Sequence, residues 1–447
     1  MADDLRLNTD LASALAEAEA RYRAANPKSL ARHEAAAQAM PGGNTRTVLH
    51  YPPFPLAWAK GEGATLTDLD GHRYTDFLGE YTAGLYGHSN PVIQEAIRTA
   101  LADGIVLGGP NRYEAELAVE LCRRFPSLEL VRFCNSGTEA NLFALSTARA
   151  VTGRAKIMAF RGGYHGGVFY YGLAGSPINV PFPTVLARYN DAQGAVAAIA
   201  READDLAAVI VEPMQGSGGC IPAAPEFLAA LREACDRHGV VLIFDEVMTS
   251  RLSPGGRQAL LGITPDMTTL GKYLGGGLSF GAFGGARRFM DRYDPQRSDA
   301  IAHAGTFNNN VLSMAAGVAG LTRVLTPDAL ASLNARGDRL RERLNDVAAR
   351  SGLPVQATGC GSLINLHFHR GAIEAVEDYA ADAARNARRS QLARLFHLDM
   401  IAAGQYLALR GFMALSLPIT DADCDRLVGA VEEFLAVRGP LIESAVG

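Results

Sequence analysis

The apolar run Val240 to Phe244 ends in two carboxylates, Asp245 and Glu246. A run of this kind reads as a buried strand, and ligands of open parallel sheets bind at the carboxyl ends of the strands. A carboxylate buried there is costly unless a cation or hydrogen-bond donors meet it. Asp245 therefore either pairs with a nearby arginine or meets a ligand cation such as a protonated pyridine. Further on, after the strand-like Met267 to Leu270, Lys272 stands among glycines in Gly271-Lys272-Tyr273-Leu274-Gly275-Gly276-Gly277. Glycines let a flat ligand approach the backbone closely. A lysine in an apolar site can lose its proton and attack a carbonyl to form an imine. Taken alone, the segment fits equally well a surface loop with a solvated lysine, and it lacks the residue order of a P-loop.

Two more segments could hold a ligand. Asn135-Ser136-Gly137-Thr138-Glu139-Ala140 follows an apolar strand and opens a helix, so its N–H groups and two hydroxyls would face an anion such as a phosphate. Helix capping by Ser136 or Thr138 explains the hydroxyls but not the glycine between them. Gly162-Gly163-Tyr164-His165-Gly166-Gly167 offers an aromatic ring suited to stacking on a flat ligand, or else a packed tyrosine in a glycine-rich turn.

The elements that must position these residues are legible as patterns. From about residue 91 to 326, apolar strands alternate with helices: strands at Leu130 to Cys134, Lys156 to Phe160, Ala207 to Glu212, Val240 to Asp245 and Met267 to Leu270, and helices including Thr138 to Thr152 and Pro225 to His238. Such alternation predicts an α/β unit with a mostly parallel sheet covered on both faces. Residues 1–90 read as an N-terminal arm, with helical Leu11 to Tyr22 and a second helical stretch stopped by Pro41-Gly42-Gly43. Short strands follow at Pro55 to Lys60 and Ala64 to Asp68, a small meander joined by the turn pair Asp70-Gly71. Residues 327–447 read as a smaller α+β unit. Its helices run from Pro327 to Arg350, over Glu374 to Phe396 and from Asp421, and its strands lie near Val355 to Thr358, Ser362 to His369 and Phe412 to Ser416.

The 447 residues carry a formal net charge of -5 with both signs interspersed, which leaves no basic footprint for nucleic acid or an anionic membrane and points to a small-molecule partner. Six cysteines lie far apart without a C-x-x-C pair, against a zinc site or a disulfide framework and in keeping with a reducing compartment. The stretch Met1 to Asn26 has no apolar targeting core and no segment approaches a membrane span in length, so a cytoplasmic location is expected.

In this order and spacing the segments resemble the fold-type-I, class III aminotransferases that use pyridoxal phosphate, from about Met40 to Pro418. The resemblance is nearest to the branch containing glutamate-1-semialdehyde aminomutases, through Met40 to Asn44, Asn135 to Ala140, Gly163 to Gly166, Asp245 to Thr249 and Gly281 to Gly285. In detail it is closer still to β-phenylalanine aminotransferases. It implies a large domain with a seven-stranded, mostly parallel sheet and a smaller α+β domain. It also implies roles: Lys272 as the imine lysine and proton shuttle, Asp245 as partner of the pyridine nitrogen, and Ser136, Gly137 and Thr138 as the phosphate cup. Tyr164 and Val247 would pack on the two ring faces, Glu212 would support the ring-oxygen side, and Thr306 would reach the phosphate from the partner subunit of a homodimer. Arg410 would clamp the carboxylate of 2-oxoglutarate or a similar α-acid, Arg46 the more distant carboxylate of a β-amino acid, and Tyr81 would wall the pocket. Thr249-Ser250-Arg251-Leu252 departs from many class III enzymes and Thr306 to Asn310 from the aminomutases, and both departures weaken the aminomutase reading. The resemblance therefore implies a β-amino acid aminotransferase, with an aminomutase-type isomerase as the alternative.

Overall fold

A computed structural model describes residues 10–446; residues 1–9 of the N-terminal stretch lie outside the described residues. The sheet expected in the middle of the chain has seven strands. Their spatial order is Leu130–Cys134, Gly281–Gly285, Met267–Gly271, Val241–Asp245, Leu206–Val211, Lys156–Phe160 and Thr184–Ala187. Gly281–Gly285 runs antiparallel to both of its neighbours, and the remaining pairs are parallel. All six residues of Leu206–Val211 and all five of Val241–Asp245 are buried, as central strands covered on both faces require. Two strands escaped the sequence reading. Thr184–Ala187 is short and lies at the edge, and Gly281–Gly285 contains three glycines, which carry little strand propensity.

The parallel direction has one consequence for function. Cys134, Phe160, Val211, Asp245 and Gly271 all end their strands at the same edge of the sheet, so Ser136, Tyr164, Glu212, Asp245 and Lys272 are delivered there together. Helix Gly137–Thr152 starts at that edge: the Ser136 hydroxyl accepts from Glu139 N–H at 3.2 Å, and Gly153, at φ 70°, ends the helix.

The rest of the chain builds a second layer beside this sheet. Gln356–Cys360, Leu363–His367 and Phe412–Ala414 form an antiparallel three-stranded sheet, flanked by helices Pro327–Ser351 and Asp421–Val446. The N-terminal meander consists of Trp58–Glu62, Thr65–Asp68 and Arg73–Asp76, and Gln405–Tyr406 joins it in parallel beside Arg73–Asp76. Three details correct the sequence reading. The first meander strand starts at Trp58 rather than Pro55. Asp70-Gly71 turns the second strand into a third, Arg73–Asp76, which the charged and polar residues had hidden. The helical stretch from Glu374 is two helices, Val376–Ala380 and Ala383–Ala402.

Candidate functional site

Asp245 is buried and fully directed. Its Oδ2 accepts from Asn141 Nδ2 at 2.8 Å and from His165 Nδ1 at 2.8 Å, and its Oδ1 accepts from Val247 N–H at 3.0 Å. Asn141 is held in turn by Thr269, whose hydroxyl donates to its Oδ1 at 2.6 Å, and it donates to the His165 carbonyl at 3.0 Å. These are charge-assisted bonds to a carboxylate at the end of a buried strand. The neighbouring Glu246 has a different task. It is fully buried and accepts from Thr249 Oγ1, Gln258 Nε2 and the backbone N–H groups of Arg257 and Gln258, so it organises the following turn.

Glu212, one residue past the end of its strand, binds two loops at once: Oε1 accepts from Tyr164 N–H and Oε2 from Gly216 N–H, each at 2.9 Å. Burial pushes its carboxyl up to about 7; His165 opposes this and Asp245 adds to it. Tyr164 itself is 46% exposed, with its ring edge-on to Tyr170. Lys272 takes φ 60°, a left-handed conformation that is costly for a residue with a side chain and is concentrated at functional sites. Burial pulls its amine down to about 8, and Arg46 pushes in the same direction.

The expected phosphate cup is a close-packed cradle. A Cβ at Gly137 would lie 2.9 Å from Val247 Cγ2, and one at Gly166 would lie 2.6 Å from the Thr138 Cα. The Thr138 hydroxyl accepts from Gly167 N–H at 3.2 Å, fastening the Tyr164 loop to the helix N-terminus. A helix start with free N–H groups, a directed carboxylate and a desolvated amine along one sheet edge suit a phosphorylated, imine-forming heteroaromatic such as pyridoxal phosphate.

Both arginines reach this place. Arg46 forms an ion pair with Glu80. The Arg410 guanidinium packs 5.5 Å from the Tyr81 ring centre and 5.1 Å from that of Phe412, two rings stacked at 15°, while its Nε has no partner. Tyr81 belongs to the core, and its hydroxyl donates to the Val48 carbonyl at 3.1 Å. Thr306 is apart from this cluster, in an exposed turn beside Phe307, which is 63% exposed. The departure at Arg251 has a structural explanation. Arg251 is fully buried, and it donates to Ser362 Oγ and to the Leu415 carbonyl, bolting the two layers together.

Sequence reasoning missed Asn141, the orienting role of His165, and Phe412. A buried amide on the second turn of the cup helix and a histidine next to the stacking tyrosine were visible, but their common target lies about a hundred residues away, beyond any local pattern.

Comparison with known proteins agrees with this geometry. The family described as Aminotransferase class-III matches residues 48–401. A β-phenylalanine transaminase from Variovorax paradoxus is 53% identical over 432 residues, covering 97% of this chain and 98% of the relative. A glutamate-1-semialdehyde 2,1-aminomutase from Desulfatibacillum aliphaticivorans is 38% identical over 400 residues, 85% of this chain and 92% of the relative. Among solved structures, a β-phenylalanine aminotransferase from Variovorax paradoxus superposes with a TM-score of 0.93 at 52% identity, covering 96% of this chain and 98% of that one. A transaminase with pyridoxal phosphate bound gives 0.83 at 33% identity, over 94% and 99%.

Proposed function

The chain belongs to the class-III aminotransferase family and works with pyridoxal phosphate, and from that premise we propose that it moves the amino group of a β-amino acid such as 3-amino-3-phenylpropionate to 2-oxoglutarate or pyruvate. The observation that carries this reading is two guanidinium groups gathered at one turn, Arg46 paired with Glu80 and Arg410 packed over the adjacent Tyr81. Two acids of different geometry must use a single site in turn, and guanidinium is the preferred partner of a carboxylate. Arg410 takes the α-acid carboxylate and Arg46 the more distant carboxylate of the β-amino acid, with Tyr81 as the aromatic wall.

The bound cofactor supplies an aldehyde and a ring that accepts electrons. Ser136, Gly137 and Thr138 hold its phosphate, Tyr164 and Val247 enclose the ring, Glu212 supports the ring-oxygen side, and Thr306 reaches the phosphate of a second subunit. Asp245, aimed by Asn141 and His165, would hold the proton on the ring nitrogen. Lys272 Nζ is the base that would take the proton from the substrate carbon bearing nitrogen and deliver it to the cofactor carbon. The reading divides the chain into residues 1–90, an arm and part of the small domain, a cofactor-binding domain over 91–326 and a small domain over 327–447, assembled as a cytoplasmic homodimer. Pairing of Gln405–Tyr406 with Arg73–Asp76 supports joining the first segment to the last. Six unpaired cysteines support a reducing compartment.

Glutamate-1-semialdehyde carries one carboxylate, so two arginines at one lysine favour transfer over isomerisation. Incubating cofactor-loaded protein with 3-amino-3-phenylpropionate and 2-oxoglutarate should form glutamate, and glutamate-1-semialdehyde without an acceptor should yield no 5-aminolevulinate. The opposite pair of results would make the chain an aminomutase.

A further inference from the structure

The Arg46 guanidinium already holds a carboxylate, that of Glu80. The pair stands at the mouth of the site: both charges act on the Lys272 amine, Arg46 lowering its pKa and Glu80 raising it, and Arg46 also acts on the Tyr81 and Tyr164 hydroxyls. Glu80 is presented by a built turn. Asp76 Oδ1 accepts from Leu78 N–H and Gly79 N–H at 2.9 and 3.1 Å, and Glu80, Tyr81 and Thr82 follow with φ of 47°, 50° and 85°. Three successive side-chain-bearing residues in left-handed conformations persist only where the surroundings impose them. The same turn carries Tyr81 against Arg410, so one segment touches both arginines. The two differ in occupancy, because Arg410 packs on aromatic rings with its Nε unpartnered while Arg46 is engaged.

We propose that Glu80 is a resident competitor for Arg46, a carboxylate that the distal carboxylate of a β-amino acid must displace. An α-acid held by Arg410 alone leaves the Arg46–Glu80 pair closed. Glu80 then sets how strongly the site favours one class of acid over the other, and the closed pair keeps Arg46 neutralised while the α-acid is bound. The inference rests on the assignment of Arg46 to the distal carboxylate. Both members of the pair are partly exposed, 39% and 50%, so the competition is modest in size and screened by salt.

The test uses the cofactor-loaded enzyme and 3-phenylpropionate, a non-reacting analogue that keeps the distal carboxylate and lacks the amine, with binding measured by calorimetry. E80Q should bind it about two- to five-fold more tightly than the parent, the range for removing one exposed ion pair. The gain should vanish in the E80Q/R46A double variant, which should bind as weakly as R46A. Unchanged or weaker binding by E80Q, with R46A still weakened, would overturn the role of Glu80 and leave the Arg46 assignment standing. Binding by R46A as tight as by the parent would overturn both. The kcat/KM for pyruvate, which reports the acceptor half-reaction alone, should be the same in E80Q and the parent; a rise parallel to the gain in 3-phenylpropionate binding would show a general charge effect and sink the proposal.

Discussion

At the scale of single residues, burial moves two charged groups of the site, Lys272 and Glu212, away from their ordinary behaviour. Lys272 is the clearest case. Burial and Arg46 lower its pKa from 10.5 to about 8, so near neutral pH part of the amine is already unprotonated and nucleophilic. The unfolded chain holds this proton up to its higher pKa, so the cofactor-free fold gains stability as pH rises from about 8 toward 10.5. The cofactor-free chain should take up pyridoxal phosphate about tenfold faster above pH 8 than at pH 7, following the free-amine fraction. Stopped-flow absorbance checks this; a rate that does not change with pH would mean that the amine is not the titrating group. Lys272 and Asp245 were legible as residue types set in unusual company, whereas Arg46 and Arg410 were singled out by the family resemblance. The orientation of Asp245 by Asn141 and His165 was not, since it depends on bonds between residues far apart in the chain.

At the scale of elements, the decisive feature is how tightly the Tyr164 loop lies on the start of helix Gly137–Thr152. Gly166, at φ 116°, leaves no room for a side chain beside Thr138. Gly166→Ala should lift the loop off the helix end, where strain of about 1–3 kcal/mol corresponds to roughly five- to 150-fold weaker cofactor binding. Fluorescence titration of the cofactor-free variant measures it, and unchanged affinity would show that the loop does not form part of the cup. The helix start was readable because strand, capping serine and glycine are contiguous. The antiparallel strand Gly281–Gly285 was not, because its glycines give no pattern and its place is set by pairing with Leu130–Cys134 and Met267–Gly271.

At the scale of the whole molecule, the exposed apolar side chains include the run Ile105, Val106 and Leu107, and Phe307 beside Thr306. Large side chains of this kind are what an obligate interface covers. On the proposed homodimer, Phe307→Asp should shift the light-scattering mass from two chains toward one and lower turnover at least tenfold, since a buried charge in an interface costs about 2–5 kcal/mol. A variant that stayed dimeric and fully active would remove Thr306 from the partner's site. Among the described residues no helix is long and apolar enough to cross a membrane.

The chain by itself determined which chemistry was available. Contiguous signals, an apolar strand ending in Asp245, a lysine among glycines and a capped helix after a strand, each reflect local backbone and burial preferences that a sequence states directly. It also placed most strands of the large sheet to within a residue or two, because parallel strands buried on both faces are written as unbroken apolar runs. Tertiary structure decided what meets what: Asn141 and His165 on Asp245, Arg410 against Tyr81 and Phe412, Glu80 on Arg46. Most such contacts follow from strand order and layer packing, which bring residues tens to hundreds of positions apart within bonding distance, and no spacing along the chain encodes them.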